Sequence, residues 1–308
     1  MSTTETQHLE PSTAKPPRHW ELLRALGAAV LSPPPGNREI CHALDLPAPS
    51  GAEHTGVFVL AAPPHGAIHL GPEGQLGGEG LDRVAGFWRA LGLRAPEDAD
   101  HLGTLLMLYA ELGTAESATP DERLSCQLQR SRTALLHEHL WSWAPGYLAA
   151  VTSLAVPATT AWADLTLQAL RVEVADSPTP ALLPLALRTA PPGLQADDSL
   201  EDTLDVLVTP IRSGYILTQR DLQVGAARAD VGFRRGERRY ALKAMLQQDP
   251  RATLAWLAEH TRAWSDVHAC TGPDATSTWW RGRADHTARV LGRLLEEQPP
   301  AGRRGEDR

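Results

Sequence analysis

The chain has 308 residues and a mass of 33.3 kDa, with 42% hydrophobic and 21% charged residues. That composition excludes wholesale disorder, and the length allows one large domain or two modest ones. Its 37 acidic residues outnumber 29 basic ones, for a formal charge of −8. This balance argues against a general nucleic-acid binder, whose phosphate contacts need a basic surface.

The first element in chain order is Met1–Pro17, polar and without an apolar core, which reads as a disordered leader and not as an export signal. Trp20–Leu31 reads as the first helix, stopped by Pro33-Pro34-Pro35. Leu46–Gly80 is rich in Gly, Pro and His. Within it, Gly56–Ala61 (GVFVLA) is the one compact β-like run, although a run that short does not by itself separate a strand from a buried helical turn. His65 and His69 are four apart, but Pro63-Pro64 and Gly66 predict a loop there. Gly74–Gly80 (GQLGGEG) lacks the Lys-Ser/Thr of a phosphate-binding loop and reads as a flexible connection.

Helical spacing dominates the chain beyond Gly80. Leu102, Leu105, Leu106, Tyr109 and Leu112 share one helix face. Thr119, Pro120 and Glu122 have the spacing of a capping box with a first-turn proline. They predict the start of one long helix through Leu124, Leu128, Leu135, Leu136, Leu140, Trp143 and Tyr147. The longest apolar stretch, Tyr147–Ala163, is interrupted by Thr, Ser and Pro and is too broken for a membrane span. Five of the 25 prolines lie between Pro178 and Pro192, the predicted interdomain linker. Thr218 and Asp249-Pro250 mark later helix starts, the second followed by a stripe of Leu254, Leu257, Thr261, Trp264 and His268. Pro299–Arg308 reads as a disordered tail. The prediction is an all-α protein with a helical domain over 18–190 and a further helical region over 195–298.

Several side-chain groupings bear on chemistry. His137-Glu138-His139 resembles a metal motif in composition, but on a helix i and i+2 point roughly 200° apart and cannot share an ion. One of these histidines is expected to pack beside Trp143, with the other in solvent. Cys41, Cys126 and Cys270 are far apart and form no C-x-x-C pair, which argues against a disulfide framework or thiolate zinc site and fits a reducing cytoplasm. No G-x-S-x-G or other nucleophile motif is present, so nothing points to an enzyme or to a bound cofactor. A metal-dependent hydrolase would have to draw on His65, His69, His101, His137 or His139. Arg228–Lys243 carries six basic residues against Asp230 and Glu237. This run allows a helix–turn–helix reading, with a solvated or carboxylate-paired helix face as the simpler account.

The most informative stretch is Pro96–Leu106. Glu97, Asp98, Asp100 and His101 stand at the mouth of an apolar helix. Acids in a first turn complement the helix dipole by about 0.3–1 kcal/mol each, yet three acids and an imidazole exceed what a cap requires. They offer charge to Arg or Lys beside an apolar face.

Here the sequence resembles the TorD/DmsD family (NarJ-like) of molybdoenzyme maturation chaperones. Glu97, Asp100 and His101 match that family's Glu-Pro-x-Asp-His hinge segment, and Gly103–Leu106 is similar to the DmsD branch. Leu135, His139, Leu140, Trp143 and Tyr147 follow its apolar-x-x-x-His-Leu-x-x-Trp pattern, and Gly86–Leu93 its aromatic segment before the hinge. Asp98 stands where the family has proline, Trp20 where it has tyrosine, and Leu135 where it has an aromatic. The resemblance covers about residues 18–190 and does not extend to Ser199–Gln298.

The resemblance implies a cytoplasmic, non-enzymatic, all-helical chaperone, monomeric or homodimeric. Its partners would be a molybdopterin-dependent oxidoreductase and that enzyme's twin-arginine signal peptide, not a membrane or a nucleic acid. Glu97, Asp98, Asp100 and His101 would meet the arginines, with Trp88, His139 and Trp143 near the apolar part.

Overall fold

A computed structural model describes residues 20–298; the expected leader and tail lie outside the described residues. Among these residues are sixteen α-helices, two π-helical segments and no strand, so the all-α expectation is met. The first half comprises α1 (Trp20–Leu31), α2 (Arg38–Ala43), α3 (Gly51–His54), α4 (Gly66–Leu70), α5 (Gly78–Ala90), α6 (Leu102–Ala118), α7 (Glu122–Ala134), α8 (Ala144–Ser153) and α9 (Pro157–Asp176). The π-helical segments are Thr55–Ala61 and Leu135–Leu140. The second half comprises α10 (Leu185–Arg188), α11 (Leu200–Val208), α12 (Pro210–Ser213), α13 (Gln219–Arg228), α14 (Arg238–Gln248), α15 (Pro250–Thr271) and α16 (Ala275–Glu297).

Glycine sets the closest approach in the first half. Gly27 of α1 and Gly103 of α6 face each other, and a Cβ on either would lie 2.6 Å from the other's carbonyl oxygen. Backbone therefore packs on backbone, which no larger residue permits. Beside this contact, α6, α7 and α9 meet at a buried ionic cluster. Arg132 donates to Glu116 at 2.8 Å and to the Tyr109 hydroxyl at 2.7 Å, and that hydroxyl donates to Glu173 at 2.7 Å.

The second half packs directly on the first, and one hydrophobic core runs from Trp20 to Leu291. Trp280 of α16 donates its indole N–H to the Ser142 carbonyl at 2.8 Å. The proline-rich stretch 178–192 is held on both sides. The Leu185 N–H donates to Glu138 at 2.6 Å, and the Pro191 carbonyl accepts from Arg283 at 3.1 Å. The late cap signals are correct. Asp249 accepts from the Ala252 N–H at 2.8 Å with Pro250 in the first turn, Thr218 and Asp221 form a capping box, and the α15 stripe is buried.

Local expectations fail where short segments compete. Gly56–Ala61 is not β-like: the segment is π-helical, with Val57 and Phe58 buried and their neighbours Val59 and Leu60 58% and 71% exposed. Burial in adjacent pairs is helical, not alternating. His65–His69 is not a loop, because Pro63-Pro64 precedes α4, where a missing N–H is harmless. The capping residue of α7 is Asp121, whose carboxylate accepts from the Arg123 N–H at 2.9 Å, while Thr119 ends α6. The long helix expected through Tyr147 is three pieces: α7, the Leu135–Leu140 π segment, and α8 beyond a turn at Trp141–Trp143. The glycine-rich stretch is loop only to Gly77, since α5 begins at Gly78.

Candidate functional site

Asp100 organises the Pro96–Leu106 segment. It is only 2% exposed, and its carboxylate accepts from the Ala67 N–H at 2.8 Å and approaches His65 Nδ1 at 3.3 Å. Two backbone bonds reinforce the junction: the Gly66 N–H donates to the Asp100 carbonyl at 3.0 Å, and the Leu102 N–H to the Pro64 carbonyl at 2.7 Å. Burial pushes the Asp100 carboxyl up, but the His65 and Ala67 donors more than offset this and leave it below the usual carboxylate range. The residue thus ties the segment before α4 to the start of α6, with its donors coming from inside the fold.

His101 caps α6, its Nδ1 accepting from the Gly103 N–H at 3.0 Å. Burial, then the neighbouring His65, push its pKa down to about 4. Glu97 and Asp98, in contrast, are exposed in the loop that joins α5 to α6. Trp88 is half-buried, and its indole N–H reaches the carbonyl of Ala99, the residue after Asp98, at 3.4 Å. Leu93, 44% exposed, lies in the same loop.

His139 and Trp143 are both buried, at 7% and 2% exposure. The Trp143 indole N–H donates to the His139 carbonyl at 2.7 Å, and the His139 ring tilts against Phe87 at 4.9 Å between centroids. Burial, aided by Arg83, pushes His139 down to about 4. Of the pair His137 and His139, His139 is the one beside Trp143, through its carbonyl, while the ring stacked on that indole is His69's, at 5.0 Å and 10° between planes. His137 is partly buried and meets the Ser177 hydroxyl at 3.2 Å.

The structure therefore sorts the seven site candidates into three groups. Glu97 and Asp98 face solvent, Trp88 and His101 are half-buried beside them, and Asp100, His139 and Trp143 form the support behind. Among the described residues, no three His, Cys, Asp or Glu side chains are grouped as a metal site requires.

The basic segment is engaged within the fold. Arg228 pairs with Glu259 at 2.8 Å, Arg239 with Glu201 and Asp205 at 2.5 Å, and Lys243 with Glu201 at 2.5 Å. Nine residues separate α13 from α14, in place of the short turn of a helix–turn–helix. Arg239 and Lys243 hold α14 against α11, and Arg228 ties α13 to α15.

Sequence reasoning missed a cleft of about 800 Å³ between residues 60–76 and the stretch 205–239. His69, Ile68, Arg212, Ile216 and Arg238 are among its walls. Neither segment carries a motif that would have marked it as one wall of a cleft.

Residues 45–149, a third of the chain, match the family model described as Nitrate reductase delta subunit, a family of redox-enzyme maturation chaperones. The matched span takes in both π-helical segments, the hinge and the His139–Trp143 turn. Comparison with curated proteins gives no match.

Proposed function

We propose that the chain is a cytoplasmic maturation chaperone for a molybdopterin-dependent oxidoreductase. It binds the client's twin-arginine signal peptide, or its apo form, before cofactor insertion and export or assembly. It acts by binding and not by catalysis. The family-model match over 45–149 carries this reading, because it contains the three sequence patterns on which the TorD/DmsD resemblance rests.

The geometry supports a division of labour. Glu97 and Asp98 present carboxylates to solvent, where guanidinium groups can reach them. Trp88 and Leu93 offer adjoining apolar surface. Asp100, with its acceptors already engaged, positions the loop and does not take the peptide itself. Charge at such a rim mainly orients and speeds capture, and apolar burial supplies the affinity.

Calorimetric titration of the full chain with a twin-arginine peptide from a molybdoenzyme of the same organism tests the reading. Saturable binding is expected. It should weaken roughly tenfold, about 1.4 kcal/mol, with a Lys-Lys peptide or with the Glu97→Gln, Asp98→Asn protein. Absence of binding to every such peptide from that genome, with no co-purifying oxidoreductase, overturns it.

A further inference from the structure

We infer that the cleft between residues 60–76 and 205–239 is a binding site for an oxyanion, carboxylate or phosphate, carried on a ligand with an apolar body. The inference is independent of the peptide reading, because the cleft includes none of the hinge acids. Its volume of about 800 Å³ lies within the range of small-molecule sites, about 300–1,000 Å³.

The anionic preference comes from Arg238. Its guanidinium lies largely buried in the cleft wall, where its one hydrogen bond goes to the Leu217 carbonyl at 3.0 Å. Among the described residues it forms no ion pair. Burial lowers its pKa with no neighbouring carboxylate to offset the effect. A buried cation without a counter-charge is costly, and an anionic ligand removes that cost. Arg212 lines the same cleft, also without an ion pair among the described residues, and gives Nε to the Pro192 carbonyl at 3.3 Å.

His69 supplies a second, separate observation. It is 3% exposed, and neither ring nitrogen has a hydrogen-bond partner. The Pro63 carbonyl lies nearby without the geometry of a bond. Burial, then the Arg238 charge, push the ring pKa down to about 3, so at neutral pH it is an uncharged imidazole with a free N–H. Such a donor beside Arg238 suits an oxyanion. The N-terminus of α14 opens on the same wall, and Glu237 at its cap position makes no side-chain cap bond.

The acids in the cleft do not cancel this field. Asp205 is paired with Arg239, and Glu73 and Glu237 are exposed at the mouth. Arg238 is part-buried, whereas Glu73 and Glu237 are exposed. The apolar body follows from Ile68, Val208 and Ile216 in the wall and from Leu60 and Leu76, 71% and 62% exposed, at the edge.

Thermal unfolding of the full chain, at one ionic strength balanced with chloride, tests the proposal with four probes. These are octanoate, octyl phosphate, inorganic phosphate and octanol. The two octyl oxyanions are expected to raise Tm saturably, inorganic phosphate to do so more weakly, and octanol not to do so. The larger response of the two octyl probes assigns the oxyanion as carboxylate or phosphate. Arg238→Met should fold with an unchanged or higher Tm and bind either octyl anion at least tenfold more weakly. Arg212→Gln, expected at roughly threefold, gives the same reading should Arg238→Met prevent folding. Equal responses in wild type and both variants, an octanol response as large as octanoate's, or no response to either octyl anion would overturn the site.

Discussion

Arg132 and Arg238 are two largely buried arginines that the protein treats in opposite ways. Arg132 lies between Glu116 and Glu173, shares the Tyr109 hydroxyl, and covers the Trp20 ring at 4.8 Å. Arg238 has a single backbone carbonyl and faces a cleft. A buried charge with all its donors matched ties elements together. One left without a carboxylate weakens the fold and is useful only if something else completes it. The same contrast divides the hinge acids, where Asp100 is satisfied internally while Glu97 and Asp98 face water.

The largest expected effect comes from breaking the satisfied side of the comparison. Arg132→Met should cost about 3–5 kcal/mol of unfolding free energy, read by urea titration. It leaves Glu116 and Glu173 facing each other without a cation. The same substitution at Arg238 should cost nothing measurable. Equal losses at both positions would erase the distinction between them.

Acid should act next. Burial holds the imidazoles of His101 and His139 at about 4 and that of His69 at about 3, below the usual value near 6.5. The unfolded chain therefore takes up protons first as pH falls. Stability present above 6.5 is lost on the way down, on the order of 1–2 kcal/mol per ring between pH 7 and 5. Unfolding free energies measured across that range should show the slope, and His139→Gln should make it shallower.

Asp100→Ala should cost about 1–3 kcal/mol, because the Ala67 N–H is then buried without an acceptor. Peptide affinity should fall less than in the Glu97→Gln, Asp98→Asn protein, a difference that calorimetry resolves. The smallest effect is local: Asp249→Ala should remove about 1 kcal/mol by uncapping α15. A thermal melt of that variant calibrates the others against an ordinary cap.

Much of the fold was legible. The helix through Leu102–Leu112, the stripe of α15 and the caps at Thr218 and Asp249 depend on residues a few positions apart, which periodicity reads directly. Gly56–Ala61 stays open between strand and helical turn, and His65–His69 reads as loop, because their conformation is set by partners far along the chain. Phe58 packs on Trp162, 5.2 Å between ring centroids, and His69 on Trp143. The hinge acids were legible as a group, but not their division into Asp100 behind and Glu97 and Asp98 in front. That division depends on the Ala67 N–H, which sits beside Asp100 only because α4 folds back onto the start of α6.

By itself the sequence determined the helical class, the net negative charge and the caps at Thr218 and Asp249, since each is carried by local spacing or by composition. Tertiary structure alone decided which buried charges are matched. Arg132 sits inside a helix and Arg238 in a basic run at the start of one, and neither context says whether a carboxylate meets it. Their difference arises because Glu116 and Glu173 converge on the first from α6 and α9, whereas no carboxylate reaches the second. Pairing at a distance is a property of packing, and short-range pattern carries no information about it.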